Sequence, residues 1–519
     1  MRLRRLAVLA TGLLLVAACS PSEVPGEEPA DAVEDASEAV DGDEPSGTVR
    51  FLIAENFWAD WTPYQSTAQS QSRLNHHIYD TLLTFPSGDL GDPQPHLATE
   101  WEQIDDDTWE FTLRDDVSFH DGQPLTGHDI KASVELASGA AGEETVLQGR
   151  WVPTTVEVID DHTVRFEMES PFASLFNAIR QTPIVSAEDV EAGSERLAAN
   201  PNGTGPFILE SETETIKTMV VNPDYWGGPA SIDTLVWEYV GDAQTRVNAL
   251  LAGQADAIDR VPPEHLPTIE EADGFELISA TASEQVNLFS VPNRVPEWDE
   301  NPDLRRAVML AIDHEALVDS LVQGESVAAQ SFLPSETLYY SPGEIDYSQN
   351  LEEARALVAE AGLEGLEFDV WAASGFLPRG EQVAEAIVAN LNEIGLEARL
   401  VTADVAGLVD DSVDGTGLLY HISWSSGGDP DAAAGIYASP NRWTHGDDTI
   451  DRLVQEGKTT MDETEREAIY DELQQYLWEE LPHIPLYYSD FTVAYSDELQ
   501  GLRVLPNYET NFYPASISE

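Results

Sequence analysis

The sequence predicts an α/β fold divided into two or three lobes. Two observations carry this. Runs of alternating apolar and polar residues, the mark of half-buried strands, are interspersed from end to end with apolar stripes at helical spacing. The stretch from Thr48 to Glu519, in a chain of 519 residues, also exceeds what one hydrophobic core usually serves. With 42% hydrophobic residues and 12 Trp, there is material for several cores.

The first segment is not part of those lobes. Arg2, Arg4 and Arg5 precede an apolar run from Leu6 to Val16, interrupted by Thr11 and Gly12. A basic start, a short apolar stretch and small residues at its end predict an export signal over 1–18. The run is shorter than the roughly 20 residues of a membrane span. Cys19, the only cysteine of the chain, follows Ala17-Ala18 directly. Val-Ala-Ala-Cys resembles the lipobox of bacterial lipoproteins, which implies that the Cys19 sulfur is lipidated and the signal removed. Several acyl chains anchor stably where one is marginal. Residues 20–47 hold ten acidic side chains, no basic ones and few large apolar ones. Such a segment cannot bury enough surface to offset its ordering entropy, so it is expected to be a disordered tether.

The charge is spread over the whole chain. Residues 1–18 carry +3 and residues 20–47 carry −10, so −64 of the total −71 belongs to the rest. This excludes a nucleic-acid binder, which needs a basic footprint. Self-repulsion of this size destabilises a compact state at ordinary salt and is screened at molar salt. We therefore expect adaptation to a saline medium.

Val49–Ile53 reads as a buried strand and Ser72–Leu83 as a helix. Trp109, Phe111 and Leu113 alternate with polar residues as in a strand. Thr155–Met168 reads as a hairpin turning at Asp160-Asp161. Asn301-Pro302-Asp303 supplies a cap, a first-turn proline and an acid to a helix carrying Leu304, Val308 and Ile312. Val383, Ile387, Leu391 and Ile394 form a second stripe closed by Gly395, with a strand at Leu396–Leu400. Ile469, Leu473 and Leu477 mark a late helix stopped by Pro482.

Several phrases recur in order: Leu97–Trp101, Asp106–Arg114, Val117–Thr126, Gly203-Thr204-Gly205-Pro206-Phe207, Asn222–Trp226, Ala249–Asp256 and Arg305–Val308. Together they resemble the family 5 solute-binding proteins of ABC importers, which include oligopeptide, dipeptide and nickel binders, over about Thr48–Tyr513. The resemblance implies a two-lobed periplasmic-binding-protein-like clam-shell (class II, cluster C) with a small extra subdomain. It places the first lobe at 48–80, 200–284 and 487–519, the subdomain at 81–199 and the second lobe at 285–486. Two strands are expected to cross between lobes near 283–290 and 484–490. It also implies a short peptide ligand, a membrane permease and ATPase as partners, a lipid-anchored monomer at the outer face of the cell membrane, and no cofactor. Oligosaccharide or chelated nickel in the same fold, or a peptide sensor without transport, are the alternatives.

Ser423-Trp424-Ser425-Ser426-Gly427-Gly428-Asp429-Pro430-Asp431 resembles the segment where peptide-binding relatives set an aspartate against the ligand's ammonium. Asp429 is the first choice for that role and Asp431 the second, with Trp424 walling a pocket. Arg379 matches, more loosely, the place of an arginine that grips the ligand's carboxylate. Trp58, Trp61 and Tyr64 fall where the family's first loop faces the cleft, although core packing suits at least one of them.

Enzyme chemistry has no support. There is no G-x-S-x-G, H-E-x-x-H or complete P-loop. Gly457-Lys458-Thr459 resembles a P-loop end, but Arg452 replaces the first glycine. Gly203–Pro206 reads as a turn and not a phosphate loop. Adjacent His76 and His77 face apart on a helix, and no histidine spacing fits a zinc site. In the nickel-binding alternative the resemblance implies that His445 lines the cleft and meets the chelated metal.

Overall fold

The computed structural model describes residues 45–518, apart from 56–59, 65–68, 86–89, 91, 143–144, 146, 281–284, 294, 324–325, 375, 378, 416, 426, 440–442, 444–446 and 506–507. The signal, Cys19, most of the tether, Trp58 and His445 lie outside the described residues. No described helix is long and apolar enough to cross a membrane.

Three sheets organise the chain. The largest has seven strands, in the order Phe275–Ala280, Phe491–Ser496, Ala257–Ile258, Thr48–Ile53, Thr234–Tyr239, Ile216–Val221 and Phe207–Glu212. Thr48–Ile53 lies between two parallel neighbours, so it is covered on both faces and reads as a nearly unbroken apolar run. The second sheet has six strands: Val327–Ala328, Ile484–Tyr488, Gln285–Ser290, Gly417–Ser425, Glu367–Ala373 and Glu397–Ala403. The third is an antiparallel sheet of Ala98–Asp105, Thr108–Leu113, Thr163–Met168 and Thr154–Asp160. Its inner face holds Phe111, Val164 and Phe166, all fully buried, while Glu100, Glu102 and Thr112 face water.

The chain passes between the two large sheets twice. Phe275–Ala280 in the first is followed by Gln285–Ser290 in the second, and Ile484–Tyr488 in the second by Phe491–Ser496 in the first. The return passage is two residues, Ser489 and Asp490, and the Asp490 carboxylate accepts from Ser326 Oγ at 2.9 Å.

The apolar stripes become buried helix faces. Leu304 and Val308 lie under the helix Pro302–Ala311, and Val383, Ile387 and Leu391 under Gly380–Glu393. Gly395 follows at φ +98°, the left-handed closure that favours glycine. Two expectations are corrected. Asn301 makes no capping hydrogen bond; its amide donates instead to the Glu297 carbonyl at 2.7 Å. The first helix runs Gln69–Ile78 and stops five residues short of Leu83. The reason is tertiary: the Gly205 N–H takes the Ile78 carbonyl at 2.9 Å.

That contact explains the glycines. A Cβ on Gly203 would sit 1.9 Å from the Ile78 oxygen, and one on Gly205 2.7 Å from its carbonyl carbon. His120 reaches the same turn, with its N–H on the Gly203 carbonyl at 2.8 Å and Nε2 3.0 Å from the Gly205 carbonyl. Asp80, buried nearby, accepts from Thr204 Oγ1 at 2.8 Å and Trp226 Nε1 at 2.9 Å. The recurring phrases thus meet in space as scaffold.

Candidate functional site

The loop after Gly417–Ser425 approaches the small sheet's subdomain. Gly427 and Gly428 both adopt positive φ (+60° and +79°). A Cβ on Gly427 would lie 2.9 Å from Gln181 Nε2, so the chain turns where a side chain would collide. The Arg180 guanidinium donates to the Gly427 carbonyl, and the Ala173 N–H donates to the Lys458 carbonyl at 3.1 Å.

Asp429 follows. It caps the short helix Pro430–Ala434, accepting from the Asp431 N–H at 2.8 Å. Its carboxylate also accepts from Arg466 Nη2 at 2.9 and 3.1 Å and from Ser174 Oγ at 2.9 Å. Both members of this ion pair are about 95% buried. Burial by itself would depress the Arg466 guanidinium; the Asp429 charge overrides it and keeps the group cationic. Burial pushes the Asp431 carboxyl up to about 6, with Lys458 at 4.0 Å pulling the other way and Asp429 adding to the rise. The P-loop-like triplet containing Lys458 is the last turn of the helix Asp448–Thr459 and so makes no phosphate loop.

Trp424, half-buried, ends the strand and meets Trp443 edge-on at 6.4 Å. Trp443 in turn packs on Tyr420, which stacks with Trp371 at 6.3 Å. Arg379 stands elsewhere. It adopts φ +53° before the helix Gly380–Glu393 and bridges to Glu264 at 2.8 Å and the Leu321 carbonyl at 3.1 Å. Glu264 follows the first sheet's strand Ala257–Ile258, so this pair ties the second sheet's region to the first. Trp61 does not face a cleft: it is 1% exposed in the core, with Nε1 3.2 Å from Glu212. Tyr64 is likewise buried, its hydroxyl on the Pro183 carbonyl at 2.5 Å.

A small, partly open cavity lies beside Gln181. Its volume is about 60 Å³, and among the described residues it is lined by Pro63, Ser72, Asn75, His76, Leu147, Arg150, Gln181 and Pro183. That is room for a few waters and lies well below the roughly 300–1,000 Å³ usual for small-ligand sites. The helix Gln69–Ile78 turns His76 into the space and His77 into the core, as adjacency on a helix demands. Sequence reasoning missed this set. Arg150 and Gln181 are isolated in the chain, and only the scarcity of arginine marks the first. Among the described residues no group of three or more His, Cys, Asp or Glu converges to hold a metal.

Two large sheets joined by a double passage, with a side subdomain closing on the loop at 427–431, define an extracytoplasmic solute-binding protein. The family described as bacterial extracellular solute-binding proteins, family 5 Middle, matches residues 92–445, and the chain belongs to that family, whose members serve ABC transporters. The dipeptide-binding protein of Escherichia coli K12 is 26% identical over 480 residues, covering 85% of this chain and 89% of the relative. The glutathione-binding protein GsiB of Salmonella typhi is 27% identical over 448 residues, covering 81% and 86%. The crystal structure of the dipeptide-binding protein of Pseudoalteromonas sp. SM9913, in complex with Met-Leu, superposes with a TM-score of 0.82. It covers 91% of this chain and all of its own, at 20% identity, and so speaks to the fold. Proteins of this family bind substrates and are not enzymes.

Proposed function

We propose that this protein captures short peptides outside the cytoplasm and delivers them to a membrane permease driven by an ATPase. The observation that carries the reading is the meeting of the loop 427–431 with the subdomain, where Arg180 donates to the Gly427 carbonyl and Ser174 to Asp429, beneath the double passage between the two large sheets. The dipeptide- and glutathione-binding relatives support the ligand class. Binding is followed by closure, with no bond made or broken. Ser174, Arg180 and the Ala173 N–H on one side, with Asp429, Gly427 and Lys458 on the other, supply the polar contacts of the closed state. In this role Asp429 is a keystone of closure: its oxygens are engaged by Arg466, Ser174 and a backbone N–H. Arg379 holds the lobes together through Glu264, and Trp424 walls the cleft. The lobes take the boundaries expected from the sequence, and Cys19 carries the lipid that keeps the protein near its permease, where tethering raises effective concentration.

The test is a thermal-shift panel on the purified protein in high salt, with peptides of two to six residues, cello-oligosaccharides and a nickel–histidine chelate. A ligand at 100 times its dissociation constant adds about 2.7 kcal/mol to the folded state. A shift with peptides alone upholds the reading, and a shift with sugar or metal alone overturns the ligand. Oligosaccharide is the second reading, favoured by the Trp424–Trp443 pair and the Trp371–Tyr420 stack behind it. For the anchor, Cys19→Ser should abolish metabolic labelling by palmitate; retained label refutes lipidation at that sulfur.

A further inference from the structure

A group of four charges is enclosed where the subdomain meets the loop 427–431. Asp429 and Arg466 form its tight half, at 2.9 and 3.1 Å. Asp431 and Lys458 form the loose half, at 4.0 Å, with side chains 8% and 20% exposed. Asp431 lies on the short helix Pro430–Ala434, Lys458 on Asp448–Thr459, and Arg466 with Tyr470 on Glu463–Glu480. The first helix packs on the strand Gly417–Ser425 and on the second helix, which packs on the third, so all four charges stand on the side of the six-stranded sheet. Their cover comes from the subdomain. The Ala173 N–H donates to the Lys458 carbonyl at 3.1 Å, and the Lys458 ammonium lies 5.8 Å from the centre of the Phe172 ring. Ser174 heads the helix Leu175–Arg180, where a serine ordinarily caps. It makes no capping hydrogen bond there; its hydroxyl donates to Asp429 and accepts from Arg466 Nη2, each at 2.9 Å.

We propose that this clasp is linked to a proton on Asp431, so that the protein shuts on its ligand more firmly in acid and opens above neutrality. The groups facing Asp431 make it the one that titrates. Asp429, a like charge, caps the same helix and accepts from the Asp431 N–H at 2.8 Å. Lys458, Arg466 and Tyr470 face it from the two neighbouring helices. Ser174 faces it from the subdomain, beside Arg180, which donates to the Gly427 carbonyl. Arg466 gives its Nη2 to both oxygens of Asp429, and Lys458 stands at the limit of an ion pair. Asp431 therefore carries the least compensated charge of the four, away from water, where a charge without a close partner is costly. Parting the clasp leaves Asp429 and Arg466 together, because both stand on one side, and returns water to Asp431. Shut, burial holds its carboxyl up at about 6, with Lys458 opposing and Asp429 adding to the rise. In water a carboxyl of this kind titrates at about 3.9. The shut form thus holds a proton between about 4 and 6 that the open form has released. Its contribution to closure is complete below about 4 and is lost as pH rises through about 6.

This inference rests on the proposed capture by closure and adds its control, and the experiment separates the two. Solution scattering of the purified full-length protein without ligand is read between about pH 5 and 8, in molar NaCl so that the overall charge is screened. The radius of gyration of the parent should rise as pH passes through about 6. Asp431→Asn, neutral at every pH, should stay compact throughout. Lys458→Met, which removes the opposing cation, should move the transition to higher pH. Thermal melts show that both variants fold. Calorimetry with a random tripeptide pool then reads the coupling to capture. The parent should bind about tenfold tighter at about pH 5 than at about 7.5, taking up close to one proton per ligand at the lower pH, as measured in two buffers of different ionisation heat. Asp431→Asn should bind equally at both. A radius of gyration that does not move with pH, or that moves alike in the parent and Asp431→Asn, overturns the inference. Peptides bound with equal affinity at both pH values and without proton uptake overturn it while peptide capture stands. A transition present in the parent and lost in Asp431→Asn, with no peptide bound at either pH, overturns peptide capture and leaves the clasp.

Discussion

Replacing Asp429 with Ala separates a structural carboxylate from a ligand contact. The variant removes a buried ion pair, a hydrogen bond from Ser174 and the cap of Pro430–Ala434. Stripping one partner from a buried pair costs about 3–5 kcal/mol, because the other charge is left uncompensated. Here the lower end applies. Arg466 keeps the Gly457 carbonyl at 3.0 Å and Ser174 at 2.9 Å, and lies 5.3 Å from the Tyr470 ring centre. The expected loss is about 3 kcal/mol, cap included, read as a lower urea midpoint in molar NaCl. Asp429→Ala combined with Arg466→Met removes both charges and should recover to within about 1 kcal/mol of the parent. That non-additivity is the signature of the pair. If Asp429→Ala unfolds within about 0.5 kcal/mol of the parent while peptide affinity collapses, the keystone reading is wrong and Asp429 faces the ligand's ammonium.

Three further outcomes are expected. Gly203→Ala should fail to accumulate as folded protein, since its Cβ would press on the Ile78 backbone oxygen, which has no rotamer to yield; normal yield and an unchanged melt would contradict the close approach. Burial holds His77, His314 and His421 down at about 4, so their stability is fully present above about 6.5 and is lost as pH falls through 4; Asp431, held up at about 6, contributes stability below about 4 that is lost as pH rises through 6. Between pH 6.5 and 4, His77→Asn should therefore soften the fall in urea midpoint and Asp431→Asn should steepen it, and slopes unmoved in both variants would refute the assignments. Urea midpoints should rise from 0.1 M to molar NaCl as the charge of −71 is screened; a flat or falling series removes the saline-medium reading.

The parts of this protein set by local pattern were legible in the chain. Phe111 and Leu113 are buried on either side of exposed Thr112 because a strand's faces alternate. Val383, Ile387 and Leu391 share a helix face for the equivalent reason, and Gly395 closes that helix because only glycine takes its backbone angle cheaply. The ordered phrases carried the family and with it the fold. What local pattern could not contain is who meets whom. Asp429 looked like a loop acid open to a ligand until folding brought Ser174, 255 residues away, and Arg466 onto its oxygens. Arg379 found Glu264, and the first helix ended at Ile78 because Gly205 took its carbonyl. Periodicity and turn chemistry act over a few residues, so sequence determines them directly. Charge pairing and burial are properties of neighbours in space, and only the tertiary structure decides those.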